Sequence, residues 1–167
     1  MKLSNIYKAT FIITVTLLAS CGFHMRGTAL FPEDITQVAI ISTLSEQSLA
    51  NDIASKLMAK DISVITAKHG ASNVYTLEIQ DTSINESIVA YNQNSIPERM
   101  AITMAITYAI ISPDGNKLFS SSLTQREEVS VTPENPVIQS SEREQALMDI
   151  RNKASYKLIV ILAKVIK

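Results

Sequence analysis

From Met100 to Ile110, large apolar and small residues alternate without interruption. Met100, Ile102, Met104, Ile106, Tyr108 and Ile110 share one parity, and Ala101, Thr103, Ala105, Thr107 and Ala109 share the other. A period of two is the period of a β-strand, whose successive side chains point to opposite faces. A helix would scatter the large residues around its circumference. The stretch therefore predicts a central antiparallel strand with its large face on a core layer. A slip of one residue would turn that whole apolar set outward, so the register is strongly specified. Ser112-Pro113-Asp114-Gly115-Asn116 follows as a turn signal. Lys117 to Val129 then reads as the returning strand, with Phe119 and Leu123 on one face, and the two strands are expected to pair as a hairpin.

The elements before this hairpin are weaker in pattern but readable. Gln37 to Ile41 is a short apolar run, read as a buried strand. Leu44 and Ser45 look like a hydrophobic residue and an N-cap, with Glu46 at the positive end of the following helix. In that helix Leu49, Ile53 and Leu57 recur at i+4 beside Ala50, Ala54 and Met58, with Asn51, Asp52, Ser55 and Lys56 opposite. It is expected to end near Lys60-Asp61. Ile62 to Ile65 is a brief extended return, closed by His69-Gly70. From Val74 the period becomes two, and the strand is expected to continue, bent, through Ile84 and Ile88 to Ala90. Tyr91 to Pro97 is a polar break.

After Pro133 and Pro136 a long final helix is predicted, opening on the capping box Ser141-Glu142-Arg143-Glu144. Leu147, Ile150, Ala154, Leu158, Ile161 and Val165 form its apolar stripe, and Asp149, Asn152, Lys153 and Lys164 stand opposite. Ile159, Val160, Leu162 and Ile166 widen the apolar surface, so its end is expected to be buried on more than one side or to meet a partner. The expected fold is a two-layer α+β sandwich: one mainly antiparallel sheet of about four strands, with two helices on one face. The sheet's other face, bearing Ala, Thr and Ser, is left to water or a partner.

The N-terminus carries a different signal. Lys2 and Lys8 precede the apolar run Phe11 to Leu18, and Ala19 and Ser20 are small residues before the chain's single cysteine, Cys21. The run is shorter than the ~20 residues needed to cross a bilayer. The pattern is that of a bacterial lipoprotein signal. The Cys21 thiol would take a diacylglycerol and, after cleavage, its freed amine would take a further acyl chain. Two or three such chains make a stable anchor. On this reading residues 1–20 are the cleaved signal, 21–34 a lipidated tether and 35–167 a single domain. In lipoproteins an Asp after the cysteine signals retention in the inner membrane, so Gly22 favours the outer membrane. With Cys21 acylated no thiol is left for a disulfide, and the fold must rest on its core.

Composition and motifs argue against an enzyme. The formal net charge is −1, and it becomes −3 once Lys2 and Lys8 are removed, which is not the basic balance of a general nucleic-acid binder. The two histidines, His24 and His69, are too few for a metal site of three or four ligands and read as a packing residue and a loop residue. There is no G-x-S-x-G, no P-loop and no G-x-G-x-x-G. The Glu127-Glu128 pair reads as a solvated strand end. No cofactor is expected.

Cys21-Gly22-Phe23-His24-Met25-Arg26-Gly27, with Pro32 soon after, resembles the mature start of the lipopolysaccharide-assembly lipoprotein family LptE (RlpB). Met148 to Ala154 resembles the spaced Arg and Ala of that family's last helix, and the order of elements agrees across the mature chain. The resemblance implies a non-enzymatic outer-membrane lipoprotein. It would plug and help fold a large β-barrel, LptD, so that lipopolysaccharide reaches the outer leaflet. Phosphates of lipopolysaccharide would want clustered basic groups, and Arg99, Lys117 and Arg126 are the candidates. The Tyr91–Ser95 and Val131–Ser141 stretches hold no Lys or Arg, so they offer no such contact.

Two other classes compete. A free-standing periplasmic lipid carrier would need an enclosed apolar pocket. A cell-wall enzyme would need a catalytic pair. The lipoprotein reading makes a direct prediction: Cys21→Ala should leave the domain soluble but mislocalised. Cell fractionation checks it, and a variant that still sediments with membranes would assign the anchoring to a protein partner.

Overall fold

The computed structural model describes residues 31–32, 34–43, 47–66, 73–132 and 134–166. The elements are β1 (Gln37–Ser42), α1 (Gln47–Met58), β2 (Ser63–Thr66), β3 (Tyr75–Tyr91), β4 (Pro97–Ile111), β5 (Lys117–Ser130) and α2 (Pro136–Val165). The strands form one sheet in the order β2-β1-β3-β4-β5. β3, β4 and β5 pair antiparallel along nearly their whole lengths, whereas β1 is parallel to both of its neighbours. The sheet thus has five strands rather than about four, and it is mixed. The extra strand is the brief return after α1: parallel neighbours need a crossover, and α1 supplies it between β1 and β2.

β4 sits at the centre of the long antiparallel half. Ile102, Ile106 and Ile110 are fully buried, and Met104 and Tyr108 nearly so. β3 follows the β4 edge through register shifts at Ile79/Asp81 and near Ile88–Tyr91, the bend anticipated in its pattern. The β4–β5 hairpin turns at Ser112–Asn116, where Gly115 takes φ +81°, a region natural to glycine, and the Ser112 Oγ accepts the Asn116 N–H. At the β3–β4 turn the Asn92 side chain accepts the N–H groups of Asn94 and Ile96.

Both helices lie on the β4 core face. α1 buries Leu49, Ala50, Ile53 and Leu57, as its spacing predicts, but Met58 is exposed. α1 ends at Met58, and Asp61 adopts φ 62° while the Ile62 N–H returns to the Leu57 carbonyl. Met58 is exposed because its position on the helix lies at the rim of the stripe centred on Leu49, Ile53 and Leu57. The proposed cap at Leu44–Glu46 lies outside the described residues.

α2 starts five residues before the expected capping box. Pro136 stands in its first turn, where a missing N–H costs nothing, and the Asn135 side chain accepts the Ile138 N–H at 3.2 Å. Ser141 and Glu144 are therefore inside the helix. Leu147, Ile150, Ala154 and Leu158 are buried, and Ile159, Leu162 and Ala163 join them, which accounts for the broad apolar end. Phe31, at the end of the expected tether, is 8% exposed and belongs to the core.

Ile106 is 0% exposed at the middle of this layer. Ile106→Ala should cost about 2–5 kcal/mol, read as a lower urea midpoint with an unchanged m-value. A loss under about 1 kcal/mol would mean that the core does not close on β4.

Candidate functional site

The same alternation that fills the core leaves the reverse face of the sheet bare. Ser83, Asn85 and Ser87 of β3 flank Ala105, Thr103 and Ala101 of β4, and on the far side stand Thr124, Arg126 and Glu128 of β5. Neither helix packs on this face. Along this stretch it is a surface of methyl, hydroxyl, amide and charged groups. Ala101 and Ala109 are nevertheless 0% exposed, because longer neighbours on β3 and β5 stand on either side of them.

Two of the three basic candidates meet here. Arg99 lies opposite Ser130 and Arg126 opposite Thr103. Both guanidinium groups reach Glu128, each at 3.1 Å. Their side chains are 55% and 52% exposed, so the pairing contributes little to stability. It does orient them. Each guanidinium carries five N–H donors, and one carboxylate leaves most of them free for an anion. Lys117 is not part of this cluster. It lies opposite Ile111 at the other end of the hairpin, roughly 25–40 Å from the two arginines along β4 at ~3.3 Å per residue.

Adjacent strand residues face opposite sides, and that splits Glu127 from Glu128. Glu127 turns to the helix layer and accepts a hydrogen bond from the Lys153 ammonium of α2. That bond holds the Lys153 pKa above its ordinary value. The pair is therefore not a solvated strand end. A matching contact joins Glu86 of β3 to Arg143 of α2 at 2.6 Å. The period of two already separates the two glutamates, but only the assembled layers bring in their partners.

Two grooves open beside α2. One, of about 460 Å³, is mainly apolar and is lined by Ile88, Met100, Val131 and Pro136, with Glu86 and Arg143 at its side. The other, of about 470 Å³, lies between the end of β5 and α2 and is lined by Glu127, Glu128, Glu142 and Asp149 among others. Among the described residues no group of three or more His, Cys, Asp or Glu is arranged to hold a metal. No helix among them is long and apolar enough to cross a membrane. Cys21, Gly22, His24 and His69 lie outside the described residues.

A protein-family model described as LptE, lipopolysaccharide-assembly, matches residues 33–159. A protein from Photorhabdus laumondii subsp. laumondii, named LPS-assembly lipoprotein LptE, is 27% identical over 141 residues, covering 80% of this chain and 76% of that one. The fold is also shared with solved structures. Rare lipoprotein B from Shewanella oneidensis superposes with a TM-score of 0.66 at 16% identity, over 77% of this chain and 94% of that one. A minor lipoprotein from Acinetobacter baumannii gives 0.64 at 10% identity, over 80% and 94%. Lipoprotein B from Nitrosomonas europaea gives 0.66 at 12% identity, over 83% and 88%.

Proposed function

The chain belongs to the LptE lipopolysaccharide-assembly family, and from that premise we propose that it is a non-enzymatic lipoprotein of the outer membrane that plugs, and helps fold, a β-barrel of the LptD type. The observation that carries this reading is the bare face of β3, β4 and β5: over Ser83–Ser87, Ala101–Ala105 and Thr124–Glu128 a filled domain offers small polar and charged side chains. The lumen of an outer-membrane barrel is polar. A body seated there gains little from apolar patches and needs hydrogen-bonding groups that can meet wall side chains or water. Cys21, acylated, would hold the domain at the membrane from below, and Gly22 would direct it outward.

Within that role Arg99 and Arg126 are the proposed contacts for lipopolysaccharide phosphates. Glu128 holds their guanidinium groups side by side on the open face, where charge-assisted hydrogen bonds to a phosphate are available. Lys117, opposite Ile111 and far from both, stands apart from this contact.

Two measurements test these proposals. In a gentle-detergent pull-down through a tag after Lys167, a large β-barrel protein should co-elute in a one-to-one ratio. A chain that elutes alone while the barrel is intact would overturn the plug reading and bring forward a lipid carrier. Arg99→Ala combined with Arg126→Ala should weaken lipopolysaccharide binding to the purified protein by about 5- to 30-fold, a loss of about 1–2 kcal/mol shared between two charge-assisted contacts. Unchanged binding would remove both residues from the site without touching the barrel role.

A further inference from the structure

The reverse face of the sheet changes character at the level of Arg99. On β3 the residues of that face run Ser83, Asn85 and Ser87, then Val89 and Tyr91. The first three stand beside Ala105, Thr103 and Ala101. Val89 falls where the register shifts, between Ile88 opposite Met100 and Ala90 opposite Arg99, so it stands beside Arg99. Tyr91 lies opposite Pro97, which shares the face of Arg99 by the period of two. Val89 is 39% exposed, Tyr91 60%, and Ile96, next to Pro97 in the turn, 45%. From Tyr91 to Pro97 the chain has no charged residue. Glu98, between Pro97 and Arg99, alternates to the helix side, and the Asn92 side chain is occupied by the N–H groups of Asn94 and Ile96. Arg99 and Arg126, held by Glu128, therefore sit on a border. Toward Ser83 and Thr124 lie hydroxyl and amide groups; toward the β3–β4 turn lie Val89, Tyr91, Pro97 and Ile96.

We propose that this border orients a bound lipopolysaccharide, with phosphate on Arg99 and Arg126, acyl chains along Val89, Tyr91 and Ile96, and sugar over Ser87, Asn85 and Thr103. The proposal rests on the phosphate reading of the two arginines and adds the direction in which the lipid lies. A phosphorylated glycolipid carries its phosphates on the sugars that also bear its acyl chains. Its charge thus stands at the junction of a hydroxyl-rich part and a hydrocarbon part. The surface repeats that order along β3, with the guanidinium groups beside the step. An inorganic anion would match the cations and leave the apolar residues in water. An apolar partner seated on the turn alone would leave the cations unmatched. The outward positions of a solvated antiparallel strand are polar, as Ser83, Asn85 and Ser87 are, and Val89 and Tyr91 break that rule next to the charge. Tyr91 suits a junction, because its ring can lie on hydrocarbon while its hydroxyl stays wet. Acyl chains laid there remove apolar surface from water on both partners. The turn, which has no basic residue of its own, thereby makes a hydrocarbon contact in place of a phosphate contact.

The test measures binding of the full chain to two probes, intact lipopolysaccharide and the same lipopolysaccharide stripped of its acyl chains. Tyr91→Ser combined with Ile96→Ser should weaken binding of the intact probe about tenfold, through the apolar area lost from two side chains, and leave binding of the stripped probe unchanged. Both positions are exposed, so the urea midpoint should not move. Arg99→Ala combined with Arg126→Ala should weaken both probes. A serine variant that binds the intact probe as tightly as the unsubstituted chain would overturn the acyl contact and leave the phosphate site to the arginine variant. An arginine variant that weakens neither probe would sink the phosphate reading, and the orientation with it, even if the serine variant still weakens the intact probe. A serine variant that weakens both probes alike would mean that the turn serves the headgroup, and the orientation would be wrong. Anionic phospholipid vesicles that displace lipopolysaccharide at equal phosphate would overturn lipopolysaccharide as the occupant. A serine variant that keeps lipopolysaccharide but loses the barrel in the pull-down would give the turn to the barrel.

Discussion

The fold depends on one act of burial: the large parity of β4 under the apolar stripe of α2. Ile102, Met104, Ile106, Tyr108 and Ile110 meet a helix surface built from Leu147, Ile150, Ala154, Leu158 and Leu162. Each fully buried side chain of this size removes enough apolar surface from water to contribute roughly 1.5–3 kcal/mol. The hairpins on either side of β4 take their register from it, because any slip would expose this set. Two ion pairs cross the same boundary, Glu86 with Arg143 and Glu127 with Lys153. They are partly exposed and add little energy. They do mark where along the sheet α2 lies.

A sheet covered on one side only has consequences for everything outside the core. Its reverse face must be tolerable in water, hence the methyl and hydroxyl side chains there. Its edges must be either guarded or used. β2 is a short edge, one of the ways in which sheets limit mispairing. β5 is the long edge at the other side. Among the described residues the clustered charges therefore lie on open surfaces. The grooves beside α2 are open, and the clustered charges are those of recognition: two arginines sharing one glutamate, and four acids beside a strand end. Such a domain suits a lipopolysaccharide-assembly lipoprotein, whose family membership rests on the greater part of the chain.

Helix starts show how local and tertiary information divide. Ser141-x-x-Glu144 satisfies the sequence form of a capping box, yet α2 begins at Pro136 under an Asn135 cap. Both signals are chemically sound starts. The earlier one prevails because the first turns of α2 pack beside Met100 and Val131 and bring Arg143 to Glu86. Those partners come from β3, β4 and the end of β5, which no local pattern connects. The same reasoning applies to Arg99 and Arg126. They are 27 positions apart in sequence, and only the β4–β5 register sets them around Glu128. Lys117 has the same charge and falls at the opposite end for the same reason.

By itself the sequence determined the elements with strong periods: the β4–β5 hairpin, the bent β3, the apolar stripes of both helices and the one-sided sheet. Side-chain alternation and i, i+3, i+4 spacing are local properties, set by backbone geometry before any tertiary contact forms. The tertiary structure alone decided that β1 and β2 run parallel, that Phe31 joins the core, which partners Glu127 and Glu128 take on their opposite faces, and which basic residues share a site. Each of these depends on which strands become neighbours and in what register, and that is settled only when the whole apolar set is buried at once.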